Sequence, residues 1–204
     1  SGRVATDLIK DLVATGNEVT AGARHPEKVI KLNHVTAVEL NLHDSVEKIA
    51  ELMKDMDAVY FVAGSRGKDL LQTDAMGAVK TMQATEKDGI KRYIMLSSLY
   101  ALQPEMWPKV PSLASIMDYN IAKFFADNYL ISNTNLDYTI LQPANLTEEP
   151  GTGKIQIGEG SATSNPIPDV AQTLADILQH DNTIGHVIMM RSGDTPIEEA
   201  LDQI

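Results

Sequence analysis

The chain has 204 residues, 43% hydrophobic and 22% charged, with a formal net charge of −11 and no cysteine. That length is expected to make one domain, residues 1–204, with a full core. The missing thiols exclude disulfides and thiolate chemistry and fit a reducing, cytoplasmic location. The acidity excludes nucleic acid as a partner, and no apolar run approaches the roughly 18 residues that span a membrane.

In chain order, Val4, Leu8, Ile9, Leu12 and Val13 recur at helical spacing, and Gly16 stops that helix. Glu18 to Ala23 reads as a strand, followed by a short helix from Pro26. Thr36 to Leu40 is a second strand, and Asp44-Ser45 caps a helix running to Met53. Ala58 to Ala63 is a continuous apolar strand of the kind buried on both faces of a parallel sheet. A long helix from Thr73 to Lys87 ends before Gly89, and Arg92 to Leu96 is the next strand. Gln103 to Pro111 carries three prolines and Trp107 and reads as a structured loop. A helix bearing Tyr119 and Lys123 follows, then the strand Asp137 to Leu141. Pro143 to Gly160, rich in Gly, Pro, Glu and Thr, is expected to be a flexible flap. A helix from Pro168 to Leu178, a strand from Val187 to Met190 and a helix from Pro196 to Leu201 complete the pattern.

Strand and helix alternate, which predicts an α/β fold, a doubly wound parallel sheet of Rossmann type with a small C-terminal substrate lobe. Such a sheet calls for a strand ahead of its first helix. The sequence opens at Ser1-Gly2 directly into the helix, so that strand is expected to be missing from it.

The stretch that carries chemistry is Tyr119-Asn120-Ile121-Ala122-Lys123, read with Ser97-Ser98 upstream. Residues four apart on a helix share a face. A phenol, with an ordinary pKa of about 10, is a poor acid-base group at neutral pH until a cation favours its phenolate. Lysine one turn away is such a cation. The five histidines, at 25, 34, 43, 180 and 186, show no metal-ligand spacing.

The ordered features resemble the short-chain dehydrogenase/reductase superfamily, in its atypical, NAD(P)H-binding, NmrA-like branch. The resemblance rests on the Tyr119/Lys123 pair, Ala63-Gly64, Gly89-Ile90-Lys91-Arg92-Tyr93, Asp137 to Pro143 and Gly193-Asp194-Thr195-Pro196-Ile197, and it covers essentially the whole chain. It implies that Ser1-Gly2-Arg3-Val4-Ala5 is the tail of the glycine-rich fingerprint, with Gly2 admitting the pyrophosphate and Ala5 in place of a third glycine.

Arg24 then stands where an acidic residue would bind ribose hydroxyls, which points to NADP, with NAD possible; Arg3 is a second cation for the same 2′-phosphate. Asn41 and Leu42 are placed against the adenine, Ala63 and Gly64 beneath the nicotinamide side, and Pro143 and Ala144 at the carboxamide. Tyr119 is the implied proton donor or acceptor. Lys123 is the residue that holds the nicotinamide ribose and lowers the phenol's pKa. The family's hydroxyl position falls on Leu99, which leaves Ser98, 21 residues before Tyr119, to polarise a carbonyl, with Ser97 in reserve. Substrate-side segments are expected at about 99–118 and 143–168, with Trp107 and Met106 facing the flap.

The implied activity is NADP-dependent oxidoreduction of a small-molecule carbonyl or related substrate, in a monomer or homodimer. The alternative is an NADP(H)-binding redox sensor without turnover. Sugar-nucleotide epimerisation is disfavoured, because only about sixty residues follow Pro143.

Overall fold

A computed structural model describes residues 2–161 and 163–204. Ser1, in the expected fingerprint tail, and Ala162, in an expected substrate-side segment, lie outside the described residues. In order, the elements are α1 Arg3–Ala14, β1 Val19–Ala23, β2 Val35–Glu39, α2 Val46–Ala50, β3 Ala58–Phe61, α3 Met76–Lys87 and β4 Arg92–Leu96. They continue with α4 Pro111–Ala114, α5 Met117–Asn133, β5 Asp137–Pro143, β6 Asn145–Thr147, β7 Lys154–Ile157, β8 Ser164–Pro166, α6 Ile167–Ile177, β9 His186–Ser192, β10 Thr195–Pro196 and α7 Ile197–Asp202.

Six strands form one sheet in the order β10-β7-β9-β5-β4-β3, in which β3, β4, β5 and β9 run parallel. Period-2 alternation sends the side chains of these strands to two cores. Ile94 of β4, Leu141 of β5 and Ile188 of β9 pack against Leu8 and Leu12 of α1 and Val170 and Leu174 of α6. Tyr93 and Met95, the sequence neighbours of Ile94, point the other way, to Met82 of α3 and Leu130 of α5. Each buried side chain of this size contributes about 1.5–3 kcal/mol by leaving water, so the two faces together hold the layers. Helices on both faces of a mainly parallel sheet make the architecture Rossmann-like and doubly wound, as expected.

β1 and β2 pair parallel in a separate two-stranded sheet.

Four expectations need correction. The sheet is not wholly parallel: β7 runs antiparallel to β9, and β10 antiparallel to β7. The segment expected as a flexible flap contains β6 and β7; Ile155 is fully buried, and the Asp169 carboxylate accepts the backbone N–H of Thr152 and of Gly153 at 2.8–3.0 Å. Asp169 is thus structural, through this capture of a neighbouring loop. Gln103 to Pro111 is not plain loop. It holds a 3₁₀ turn, Pro104–Lys109, and leads into α4. Finally, β3 stops at Phe61 and is buried only there, because it ends its sheet, and the helix after it opens with a π-helical segment, Leu70–Ala75, before α3.

Candidate functional site

A cleft of about 490 Å³ opens along the carboxyl ends of β3, β4, β5 and β9, where open α/β sheets bind ligands. Its lining brings together Gly2, Arg3 and Val4, Ala63 and Gly64, Ser97 and Ser98, Tyr119 and Lys123, and Pro143 and Ala144. Arg24, Asn41 and Leu42 are not on this lining.

At one end the first turn of α1 faces the cleft. Gly2 precedes the helix in extended backbone, and a Cβ added there would meet only Ala5 Cβ, at 4.0 Å. The first-turn N–H groups therefore stand behind a residue with room in front of it, the arrangement that receives phosphate oxygens. Arg3, half exposed, is ion-paired at 2.6 Å with Glu148 beyond β6. An exposed pair of this kind is worth little, about 0–1 kcal/mol, so the guanidinium is available to a phosphate.

The loop after β3 carries Ala63, Gly64 and Arg66 past the cleft. Beneath it, Asp74 is fully buried. Its Oδ2 accepts the Ser65 backbone N–H at 3.0 Å, while Oδ1 has no partner among the described residues and lies 3.5 Å from where a Cβ on Gly64 would sit. An unmatched buried acceptor beside a small-residue lining suits a ligand with hydroxyl or amide donors. Sequence reading passed over Asp74, although an acid inside an apolar helical stretch was a visible signal.

The centre of the site joins the end of β4 to α5. Lys123, 4% exposed, donates from Nζ to the Leu96 carbonyl at 3.1 Å, and the same nitrogen lies 5.6 Å from the centre of the Tyr119 ring. Tyr119 is half-buried, one turn ahead of Lys123 on the same face.

The two serines diverge. Ser97 is buried and donates its hydroxyl to Asp127 Oδ2 at 2.7 Å, so it serves the core; Ser98 is half-buried on the cleft, where its hydroxyl is not engaged by protein among the described residues. Leu99, at the family's hydroxyl position, is buried in an apolar cluster. Asp127, one turn beyond Lys123, also accepts Gln142 Nε2 at 2.9 Å. Burial pushes its carboxyl up to about 6, against the two hydrogen bonds and the Lys123 charge, which favour ionisation.

On the nucleotide side, Arg24 is exposed at the end of β1, and its charge acts on Asp69. Hydrogen bonds from Thr73 and from His43, at 2.6 Å each, hold the Asp69 carboxyl below its usual range. Asn41 spends its side-chain oxygen on the His43 backbone N–H at 3.0 Å, and Leu42 is buried in the core with Phe61 and Met82. Lys80 fixes this turn by donating to the carbonyls of Leu42, His43 and Asp44 at 3.0–3.1 Å.

The other end of the cleft is built from Val110, Leu113, Ile116, Tyr100 and Arg191, with Gly160, Ser161 and Thr163 from the segment leading to β8. Trp107 is not on the lining. It sits behind it, buried with Leu99 and Leu113, and donates Nε1–H to the Tyr100 carbonyl at 2.9 Å. Met106 packs against the same cluster. Tyr100 has a φ of 59°, in the left-handed region that costs a bulky residue energy. Its hydroxyl accepts from Arg191 Nη2 and donates to Glu159 Oε2, each at 2.8 Å. Arg191 was not foreseen, since 91 residues separate it from Tyr100; the only hint was an arginine closing an otherwise apolar strand.

The chain is similar to known proteins over most of its length. A family model described as NAD(P)H-binding matches residues 1–181. The crystal structure of the oxidoreductase ylbE from Lactococcus lactis superposes with a TM-score of 0.96 at 47% identity, over 100% of this chain and 92% of that one. YhfK of Bacillus subtilis, named an uncharacterized sugar epimerase, is 38% identical over 82% of this chain and 78% of its own length. The UPF0659 protein YMR090W of Saccharomyces cerevisiae is 34% identical over 100% of this chain and 95% of its own length. Among the described residues no helix is long and apolar enough to cross a membrane.

Proposed function

The chain belongs to the NAD(P)H-binding family, and from that premise we propose that it is an NADP-dependent oxidoreductase acting on a small carbonyl compound or the corresponding alcohol. The observation that carries this reading is the convergence of Tyr119, Lys123 and Ser98 on one cleft with the first turn of α1. The residues fit the cofactor. Gly2 leaves room for a pyrophosphate, Ala63 and Gly64 are small where a ribose must pass, and Asp74 Oδ1 is a buried acceptor in want of a donor. The nicotinamide, when bound, supplies or receives the hydride.

The chain's own residues handle position and proton. The Ser98 hydroxyl donates to the carbonyl oxygen and orients it. The Tyr119 hydroxyl passes its proton to that oxygen as hydride reaches the carbon, or recovers it in the oxidative direction. Lys123, anchored on the Leu96 carbonyl, keeps positive charge beside the ring and directs its remaining N–H donors toward the ribose. Pro143 and Ala144 wall the carboxamide side. Arg24 favours NADP over NAD, because an exposed guanidinium in the position where an acidic residue would bind ribose hydroxyls suits a 2′-phosphate.

One observation favours the alternative of a cofactor-binding regulator without turnover: the family's hydroxyl position is Leu99, and Ser97 is committed to Asp127. The two readings part in one experiment. Thermal unfolding is followed with NADPH and with NADH, and NADPH oxidation is then measured across a carbonyl panel with wild type and Tyr119→Phe. Ligand at a hundredfold excess over its Kd stabilises by about 2.7 kcal/mol. NADPH is expected to shift unfolding more than NADH, and Tyr119→Phe to keep that shift while losing turnover. Turnover undiminished in the variant refutes the proton role, and no shift with either nucleotide refutes the cofactor.

A further inference from the structure

We propose that Thr73 and His43 clamp the Asp69 carboxylate away from Arg24, so that this trio, and not Arg24 alone, sets the preference for a nucleotide carrying a 2′-phosphate; the inference rests on the NADP reading of Arg24 and adds the positioning residues behind it. Parallel pairing brings the ends of β1 and β2 side by side. Ala23 stands opposite Glu39, and the Leu40 N–H donates to the Ala23 carbonyl at 2.9 Å. Arg24 therefore leaves β1 beside the turn at 41–44 that follows β2. That turn is fixed on both sides. Asn41 accepts the N–H of His43 on its side chain and that of Asp44 on its carbonyl, at 3.0 Å each, and Lys80 of α3 binds three successive carbonyls. The half-exposed His43 imidazole is thereby presented to Asp69 from a set place.

Asp69 stands at the head of the π-helical segment Leu70–Ala75, close enough for Arg24 to act on its charge. An exposed guanidinium and a partly exposed carboxylate in that relation can close into a planar, two-pronged ion pair. They do not: among the described residues Arg24 makes no ion pair and no side-chain hydrogen bond. The donors that reach Asp69 account for this. Thr73, buried one turn on, gives its hydroxyl to Asp69 Oδ2 at 2.6 Å and its N–H to the Asp69 carbonyl at 2.9 Å. His43 gives Nε2–H to the same Oδ2, also at 2.6 Å.

Two short bonds converging on one oxygen fix where that oxygen lies. One donor comes from the turn after β2 and the other from the helix after β3, so neither depends on the other for its place. Without them the carboxylate turns about its own side-chain bonds to the guanidinium and takes the fork that a 2′-phosphate would use. With them, the acid nearest the end of β1 is kept out of ion-pair contact with its arginine.

The test titrates 2′,5′-ADP and 5′-AMP, which differ only in the 2′-phosphate, into wild type and variants by calorimetry, with NADPH and NADH alongside. Thr73→Val and His43→Ala are each expected to weaken 2′,5′-ADP and NADPH about two- to fivefold, the worth of an exposed ion pair, and to leave 5′-AMP and NADH unchanged. Because Thr73 is buried, the exposed His43→Ala carries the decision together with a rescue. Asp69→Asn, whose amide cannot pair with Arg24, is expected to restore 2′,5′-ADP binding in His43→Ala, with a gain at least about twofold larger than it gives in wild type. Three results overturn the clamp while Arg24→Ala still weakens 2′,5′-ADP. They are an unchanged preference in His43→Ala, equal weakening of 5′-AMP and 2′,5′-ADP, or a gain from Asp69→Asn no larger in His43→Ala than in wild type, which would leave His43 as a phosphate ligand itself. Arg24→Ala without effect on 2′,5′-ADP refutes the NADP reading instead, and the clamp falls with it.

Discussion

Asp127→Asn is expected to reverse part of the protein's dependence of stability on pH. Asp127 is fully buried on α5, with both hydrogen bonds, from Ser97 and Gln142, directed to Oδ2. Oδ1 has no partner among the described residues. Burial outweighs these bonds and the nearby Lys123 charge and lifts the carboxyl from an ordinary 3.8 to about 6. That displacement corresponds to about 3 kcal/mol.

The sign follows from proton counting. Between the two values the folded chain still holds the proton that the unfolded chain has lost. The contribution is therefore fully present below about pH 4 and is lost as the pH rises through about 6. Asparagine keeps an oxygen for Ser97 and Gln142 and cannot ionise. The cost of its orphaned amide is the same at every pH.

Urea unfolding of wild type and Asp127→Asn at half-unit steps from pH 4 to pH 8 isolates the term. Wild type is expected to lose about 3 kcal/mol relative to the variant across the window, about 1–2 M in urea midpoint. Parallel curves would refute the argument that a buried carboxylate is being titrated.

Two further outcomes follow from the geometry. Arg24→Ala is expected to weaken NADPH binding about ten- to a hundredfold, the worth of a charge-assisted phosphate contact, and to leave NADH unchanged; equal weakening of both nucleotides in calorimetry would remove Arg24 from the 2′-phosphate. Gly193→Ala is expected to destabilise by about 1–3 kcal/mol in chemical unfolding, because a Cβ there would come within 2.6 Å of the backbone of Ile155 and Gln156. An unchanged midpoint would mean that β7 yields at little cost.

Much of the scaffold was legible from local pattern. Leu8 and Leu12 bury the face of α1 that their spacing predicts, and β4 occupies Arg92–Leu96 as read. The Tyr119/Lys123 pair was legible for the same reason, since helical spacing alone puts both on one face. What escaped depends on partners far away in the chain. β7 is a strand because β9 pairs with it and Asp169 gathers the backbone before it, and neither fact shows in a run of Gly, Thr and Lys. Arg191 meets Tyr100 only after the strands are assembled. Asp127 was within reach: an acid four residues beyond Lys123, on the buried side of a helix, is itself a warning.

The cluster of Leu99, Tyr100, Trp107, Leu113 and Ala144 stands apart from the two cores that hold the helices to the sheet. Substitutions in separate clusters add with little interaction. On the proposed reading, the substrate end of the cleft, Ala144 apart, can therefore drift, one side chain at a time, without taxing the half assigned to the nucleotide. Divergent relatives have a physical route to new substrates on an unchanged frame, and their differences in preference are to be sought among these few positions before any other.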